Sequence, residues 1–125
     1  MLRKTAFVFV VLALLLAMSS AAFAQKTTVS RVVVVKTDNV AAYVQALESN
    51  KEILKKLGLP AQTRVWQATF AGPQAGTIVV VIEYPNLAAL ADADAKTRAD
   101  KDYQAWLKSA EKIRTIVSDS IYKEL

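Results

Sequence analysis

The reactive side chains of this chain form a restricted set. Among its 125 residues there is no histidine and no cysteine, which excludes Ser-His and Cys-His nucleophilic systems, thiol chemistry and zinc sites built on those ligands. Acid–base work falls to Asp, Glu, Lys or Tyr. Two short stretches could place such groups in a pocket. "IVVVIEY", Ile78 to Tyr84, ends an aliphatic run in Glu83 and Tyr84, a carboxylate and a phenol able to act as base or to anchor a ligand. "RVW", Arg64 to Trp66, puts a guanidinium and an indole on one face of a strand, a pairing suited to a small aromatic or apolar ligand. Arg64, Trp66, Glu83 and Tyr84 are therefore the ligand-binding candidates, and no residue qualifies as catalytic.

The acid-rich segment "DADAKTRADKD", Asp92 to Asp102, invites a calcium reading. It fails as an EF-hand loop: Lys96 stands where an acid or Asn belongs, Thr97 replaces the glycine and Tyr103 replaces the bidentate Glu. Solvated helix surface with an N-cap at Asp100 accounts for it, so neither a metal nor a cofactor is expected. Lysines and arginines are scattered singly and interleaved with acids apart from Lys55-Lys56, which lacks the clustered basic face of a nucleic-acid binder.

The front of the chain has a different purpose. Arg3 and Lys4 precede the apolar run Ala6 to Met18, and Ala22-Phe23-Ala24 supplies small residues ahead of a cut. The pattern is that of a secretory signal peptide, residues 1–24, with cleavage after Ala24. The apolar run is shorter than the roughly 20 residues of a spanning helix, so no membrane anchor is expected after cleavage and the protein is expected in the periplasm or secreted. Losing Arg3 and Lys4 lowers the net charge from +5 to about +3. Residues 25–125 then form one domain, stabilised by packing without disulfides.

The elements that position the candidates follow from periodicity. "TVSRVVVVKT", Thr28 to Thr37, reads as a first strand. Asp38-Asn39 caps a helix from Val40 to Leu57, with Val40, Val44, Leu47, Leu54 and Leu57 at helical spacing beside Tyr43, and Gly58 and Pro60 stopping it. Gln62 to Phe70 is a second strand, "AGPQAG" a hairpin turn, and Ile78 to Tyr84 a third strand. Asn86 opens a second helix with the stripe Leu87, Leu90 and Ala91. Asp100 opens a third, whose inner face is Tyr103, Trp106, Leu107 and Ala110, and Thr115 to Leu125 is the last strand, in which Asp119 guards the edge.

The order β-α-β-β-α-α-β is the ferredoxin-like α+β plan with its second helix broken in two and a sheet order of 4-1-3-2. "VVVV" and "IVVVI" are the most continuously apolar strands, as central strands should be. Right-handed crossovers put all the helices on one face. The other face is left with either Ile78, Val80 and Ile82 or Val79 and Val81, an apolar patch that marks an interaction surface. Val79, Val80 and Val81 are accordingly the candidates for an interface with a second copy.

On these features the chain resembles the dimeric α+β barrel superfamily, in particular small exported domains of the NIPSNAP and antibiotic-biosynthesis-monooxygenase type. The resemblance covers nearly all of residues 29–125 and rests on strand order, "IEYPNLAAL", "ADKDYQAWL" and the "VSDSIYKEL" ending. It implies a four-stranded sheet paired with that of a second subunit. Superfamily members include cofactor-free oxygenases, isomerases, haem enzymes and proteins of no known activity. Haem-binding members commonly use a histidine, which this chain lacks. The resulting expectation is an association module that dimerises and takes a small apolar or aromatic ligand, the alternative being a cofactor-independent monooxygenase or isomerase.

Overall fold

The computed structural model describes residues 27–70 and 72–125; the expected signal peptide lies outside them. The elements are β1 (Val29–Lys36), α1 (Val40–Lys56), β2 (Gln62–Gln67), β3 (Ile78–Tyr84), α2 (Leu87–Ala99), α3 (Lys101–Glu111) and β4 (Thr115–Lys123), with one 3-10 turn at Gly72–Gln74 in the β2–β3 hairpin. The strands pair in the order β2-β3-β1-β4, every pairing antiparallel. This is the expected 4-1-3-2 order read from its other edge.

Local chemistry sets the element boundaries. Asn39, Asn86 and Asp100 each accept a hydrogen bond from the backbone N–H three residues on, at 3.0, 2.8 and 2.8 Å, satisfying donors at the helix starts. Helix α1 ends in a Schellman motif: Leu59 N–H reaches the Leu54 carbonyl at 3.1 Å and Gly58 N–H reaches that of Lys55 at 3.0 Å. Gly58 makes this possible at φ +70°, where a side chain is strained.

The helices lie on one face of the sheet. Val33 and Val35 of β1, Ile78 and Val80 of β3, and Tyr43 and Leu47 of α1 form one buried cluster, which Val65 and Trp106 flank. Val29, Tyr84, Leu54, Leu59 and Ala93 form a second. Odd-numbered residues of β1 and even-numbered residues of β3 thus face inward, which resolves the two alternatives for the open face. Val80 is only 3% exposed in the core and cannot meet a second copy, whereas Val79 and Val81 point to the open side. That side also carries Val32, Val34, Arg64, Trp66, Glu83 and Tyr122 by register, and Trp66 and Tyr122 are both 60% exposed.

Two expected apolar stripes are rotated. Helix α1 buries Tyr43, Leu47, Asn50 and Leu54, leaving Val40 and Val44 at the surface. Helix α2 buries Ala93 and Thr97 rather than Leu87 and Ala91; Leu87 is 61% exposed. The Asn86 cap fixes the phase of α2, and the small residues of its inner row let the helix approach a layer already filled by Tyr84 and Leu54. Thr97 returns its hydroxyl to the Ala93 carbonyl at 2.8 Å, so the buried row holds no unmet hydroxyl. Between helices, Trp106 of α3 donates its indole N–H to the Ala46 carbonyl of α1 at 2.6 Å.

The opposed roles of neighbouring valines are testable. Val80→Asp would bury an unpaired carboxylate and should abolish the cooperative unfolding transition seen by circular dichroism, while Val79→Asp should leave it. Ile78→Ala should lower unfolding free energy by about 2–5 kcal/mol in urea titrations.

Candidate functional site

Helices α1, α2 and α3 do not cover β4, whose inner face remains open; Ile121 is 56% exposed. A cleft of about 470 Å³ opens there between the helices and the sheet, with apolar walls that include Leu54, Ile82, Leu90 and Ile121. A smaller space of about 220 Å³ shares Arg31, Asp94, Tyr103 and Asp119 with it and extends beneath α3 to Trp106 and Arg114. Polar groups converge on this apolar region from every layer: Arg31 and Asp119 from the sheet, Asn50 from α1, Asp94 and Arg98 from α2, and Tyr103 from α3.

The Arg31–Asp119 pair anchors the cleft floor. Arg31 Nε donates to Asp119 Oδ1 at 2.9 Å and Nη2 donates to Oδ2 at 2.6 Å, a bidentate fork across adjacent strands. A β-bulge enables it. Val34 pairs with Ser118 but Val35 with Ile116, leaving Val117 as the extra residue, so Ile116 and Asp119 share the inner face despite their odd spacing. Asp119, the acid expected to guard this edge strand, is half of an ion pair on the inner face of the sheet. Its hydrogen bond from Arg31 draws its carboxyl below the ordinary range, against the opposing effect of burial, and the Arg114 charge adds to the lowering. The same hydrogen bond holds the Arg31 guanidinium more firmly protonated.

Two phenols complete the polar lining. Burial raises the Tyr84 hydroxyl above its usual value, against the charge of Arg31, and raises that of Tyr103 against Arg31 and Arg114. Both stay protonated at neutral pH and can donate hydrogen bonds to a ligand.

The four ligand-binding candidates separate. Tyr84 is buried on the inner face and lines the cleft. Arg64 and Trp66 sit on the open face of the sheet, with Val81 and Val79 as their register partners. Glu83, also on that face, lines a different depression of about 420 Å³ at the strand ends, with Thr28, Gln62 and Pro85. It pairs with neither Arg31 nor Arg64; Arg31 lies on the opposite face, bound to Asp119. Arg31, Asn50, Tyr103, Arg114 and Asp119 escaped sequence reasoning. The available signal was Arg31 itself, a charge at the inward parity of Val29, Val33 and Val35, matched by one acid in β4. Among the described residues no group of three or more acidic side chains could hold a metal ion.

No protein-family model matches the chain, and no curated protein matches its sequence. Solved structures do match its fold. A NIPSNAP family protein from Agrobacterium tumefaciens superposes with a TM-score of 0.54 at 13% identity, over 78% of this chain and 91% of that one. A conserved protein of unknown function from Bacteroides thetaiotaomicron, described as a possible oxidoreductase, gives 0.53 at 11% identity, over 79% of this chain and 99% of that one. The ferredoxin-like α+β fold is thus shared with a NIPSNAP protein, as the sequence features suggested; at these identities the likeness concerns the fold alone.

The ion pair has a pH signature. Asp119→Asn should cost about 1 kcal/mol or less at pH 7, because both side chains are more than a third exposed and solvent screens the pair. Asp119 has the depressed carboxyl, so its contribution is complete above the unfolded value of about 3.9 and disappears as pH falls through the lower folded value. Urea denaturation of the two proteins should therefore differ at pH 7 and converge in acid.

Proposed function

We propose that the protein is an exported, dimeric module that binds a small ligand with an apolar body in the cleft between its helices and its sheet. The observation that carries this reading is the convergence of Arg31, Asn50, Tyr84, Tyr103 and Asp119 on one cleft of about 470 Å³ that also has walls of Leu54, Ile82, Leu90 and Ile121, since apolar walls with fixed polar groups between them characterise ligand sites. Binding without turnover accords with the electrostatics. The carboxylate at the centre, Asp119, is tied to Arg31 and made a weaker base by it. The second carboxylate, Asp94, is paired with Arg98 at 3.0 Å. A cofactor-independent monooxygenase or isomerase is the competing reading; it would have to draw its base from this cleft, since Glu83 stands on the other face of the sheet.

The open face is assigned to a second copy of the chain. Val32, Val79 and Val81 form its centre, with exposed Trp66 and Tyr122 at its flanks. Arg64 and Glu83 occupy diagonal positions on it. A two-fold operation can set Arg64 of one copy toward Glu83 of the other, a self-complementary arrangement of the kind an isologous interface requires. Export is proposed on the leader-like residues 1–24.

The dye N-phenyl-1-naphthylamine, a neutral apolar probe, should brighten on binding at one site per chain. Ala91→Trp, which fills the cleft from its exposed rim, should abolish the signal, and Val79→Asp should not. Signal retained in Ala91→Trp would refute the cleft reading. Light scattering of residues 25–125 should give the mass of a dimer, and Val79→Asp and Val81→Asp that of a folded monomer.

A further inference from the structure

Charges in the cleft and its extension cancel in pairs, with one left over. Arg31 is bound to Asp119 at 2.6 Å and Arg98 to Asp94 at 3.0 Å. Arg114, just before β4, lines the extension and has no carboxylate partner among the described residues. Its position is fixed by aromatic neighbours instead. The guanidinium carbon lies 5.4 Å from the centre of the Trp106 ring and 5.9 Å from that of Tyr43, and Nη1 donates to the Tyr43 hydroxyl at 3.2 Å. Its Nε–H is hidden from solvent and has no acceptor among the described residues. A buried donor left unmet costs about 1–3 kcal/mol, so the guanidinium is held in place under-satisfied at the wall of a space with both polar and apolar lining.

We infer that the cleft ligand is a small monocarboxylate with an aromatic or aliphatic body, and that Arg114 is the residue that grips its carboxylate. The inference rests on the cleft-binding reading and adds the charge of the ligand. A single cation in these spaces without a carboxylate partner among the described residues calls for one negative charge. The planar guanidinium, turning slightly within its aromatic cradle, presents two parallel N–H groups to the two carboxylate oxygens. Arg31 is unsuited to the task, because Asp119 already occupies its fork. The apolar body of the ligand lies along Leu47, Leu107 and Ile82, the last of which also lines the larger cleft. The same geometry disfavours a dianion, which would leave one charge unmatched in a low-dielectric cleft.

The test is a competition between 1-naphthoate and 1-naphthamide, which share a ring system and differ in charge, each displacing N-phenyl-1-naphthylamine from the wild-type protein. Naphthoate should displace the dye at a concentration at least about tenfold lower than naphthamide, the size expected for a charge-assisted hydrogen bond. Arg114→Gln should erase this preference, and Lys108→Gln, on the exposed side of α3 and outside both spaces, should keep it. A variant-free readout accompanies these. In the ¹⁵N-labelled wild-type protein, the Arg114 Nε–H resonance should shift with naphthoate and stay in place with naphthamide. Equal displacement by the two compounds, a preference that survives in Arg114→Gln, or an unmoved Arg114 resonance would overturn the inference while leaving the cleft intact. A dye that does not bind, or that still binds Ala91→Trp, would remove the cleft reading itself.

Discussion

Five aliphatic residues in a row, Ile78 to Ile82, cannot occupy a strand without placing apolar side chains on both of its faces. Hydrogen bonding to β1 and β2 fixes β3 at a central position, so neither face can be hidden by twisting the strand to an edge. The rest of the architecture answers this constraint. Helices α1 and α3 cover Ile78, Val80 and Ile82 with Tyr43, Leu47 and Trp106. Among the described residues no helix covers Val79 and Val81, which lie beside exposed Trp66. One sheet thus carries two surfaces of different character, and each of the two proposed roles belongs to one of them.

The inner surface is also where the fold departs from a purely apolar packing. The helices stop short of β4, and the space they leave is floored by a charge pair rather than by aliphatic side chains. A single extra residue in β4 makes this possible by letting Ile116 and Asp119 face the same way. Burial favours the neutral form of all three acidic groups here, and a hydrogen bond overrides it at one of them. Burial keeps the phenols of Tyr84 and Tyr103 protonated, while the Arg31 hydrogen bond keeps Asp119 ionised. The result is a fixed pattern of donors around an apolar hollow, suited to holding a ligand and poor in free base.

Much of the fold was legible in the sequence, because it depends on signals of short range. Helix starts were readable from Asn39, Asn86 and Asp100, the α1 stop from Gly58, and the central strands from their unbroken aliphatic runs. Helix phase was less so: in α2 the best apolar stripe by spacing contains Leu87, yet the cap and the close fit of Ala93 and Thr97 decide which side faces in. The site was mostly illegible. Arg31 and Asp119 are 88 residues apart and meet only through the β1–β4 register, which the bulge shifts. Face assignment had the same difficulty. Period two separates Glu83 from Tyr84 and Val79 from Val80, but only the packing of α1 on the sheet tells which of each pair is inside.

The claim that the two faces of one sheet serve separate binding events is open to direct measurement by methyl NMR on valine- and isoleucine-labelled protein. Dilution should move the methyl signals of Val32, Val79 and Val81 and leave Ile82 and Ile116 in place. Addition of 1-naphthoate at constant protein concentration should move Ile82 and Ile116 and leave the open-face valines unchanged. A single set of methyl groups responding to both dilution and ligand, or open-face valines indifferent to dilution throughout the micromolar range, would contradict the account.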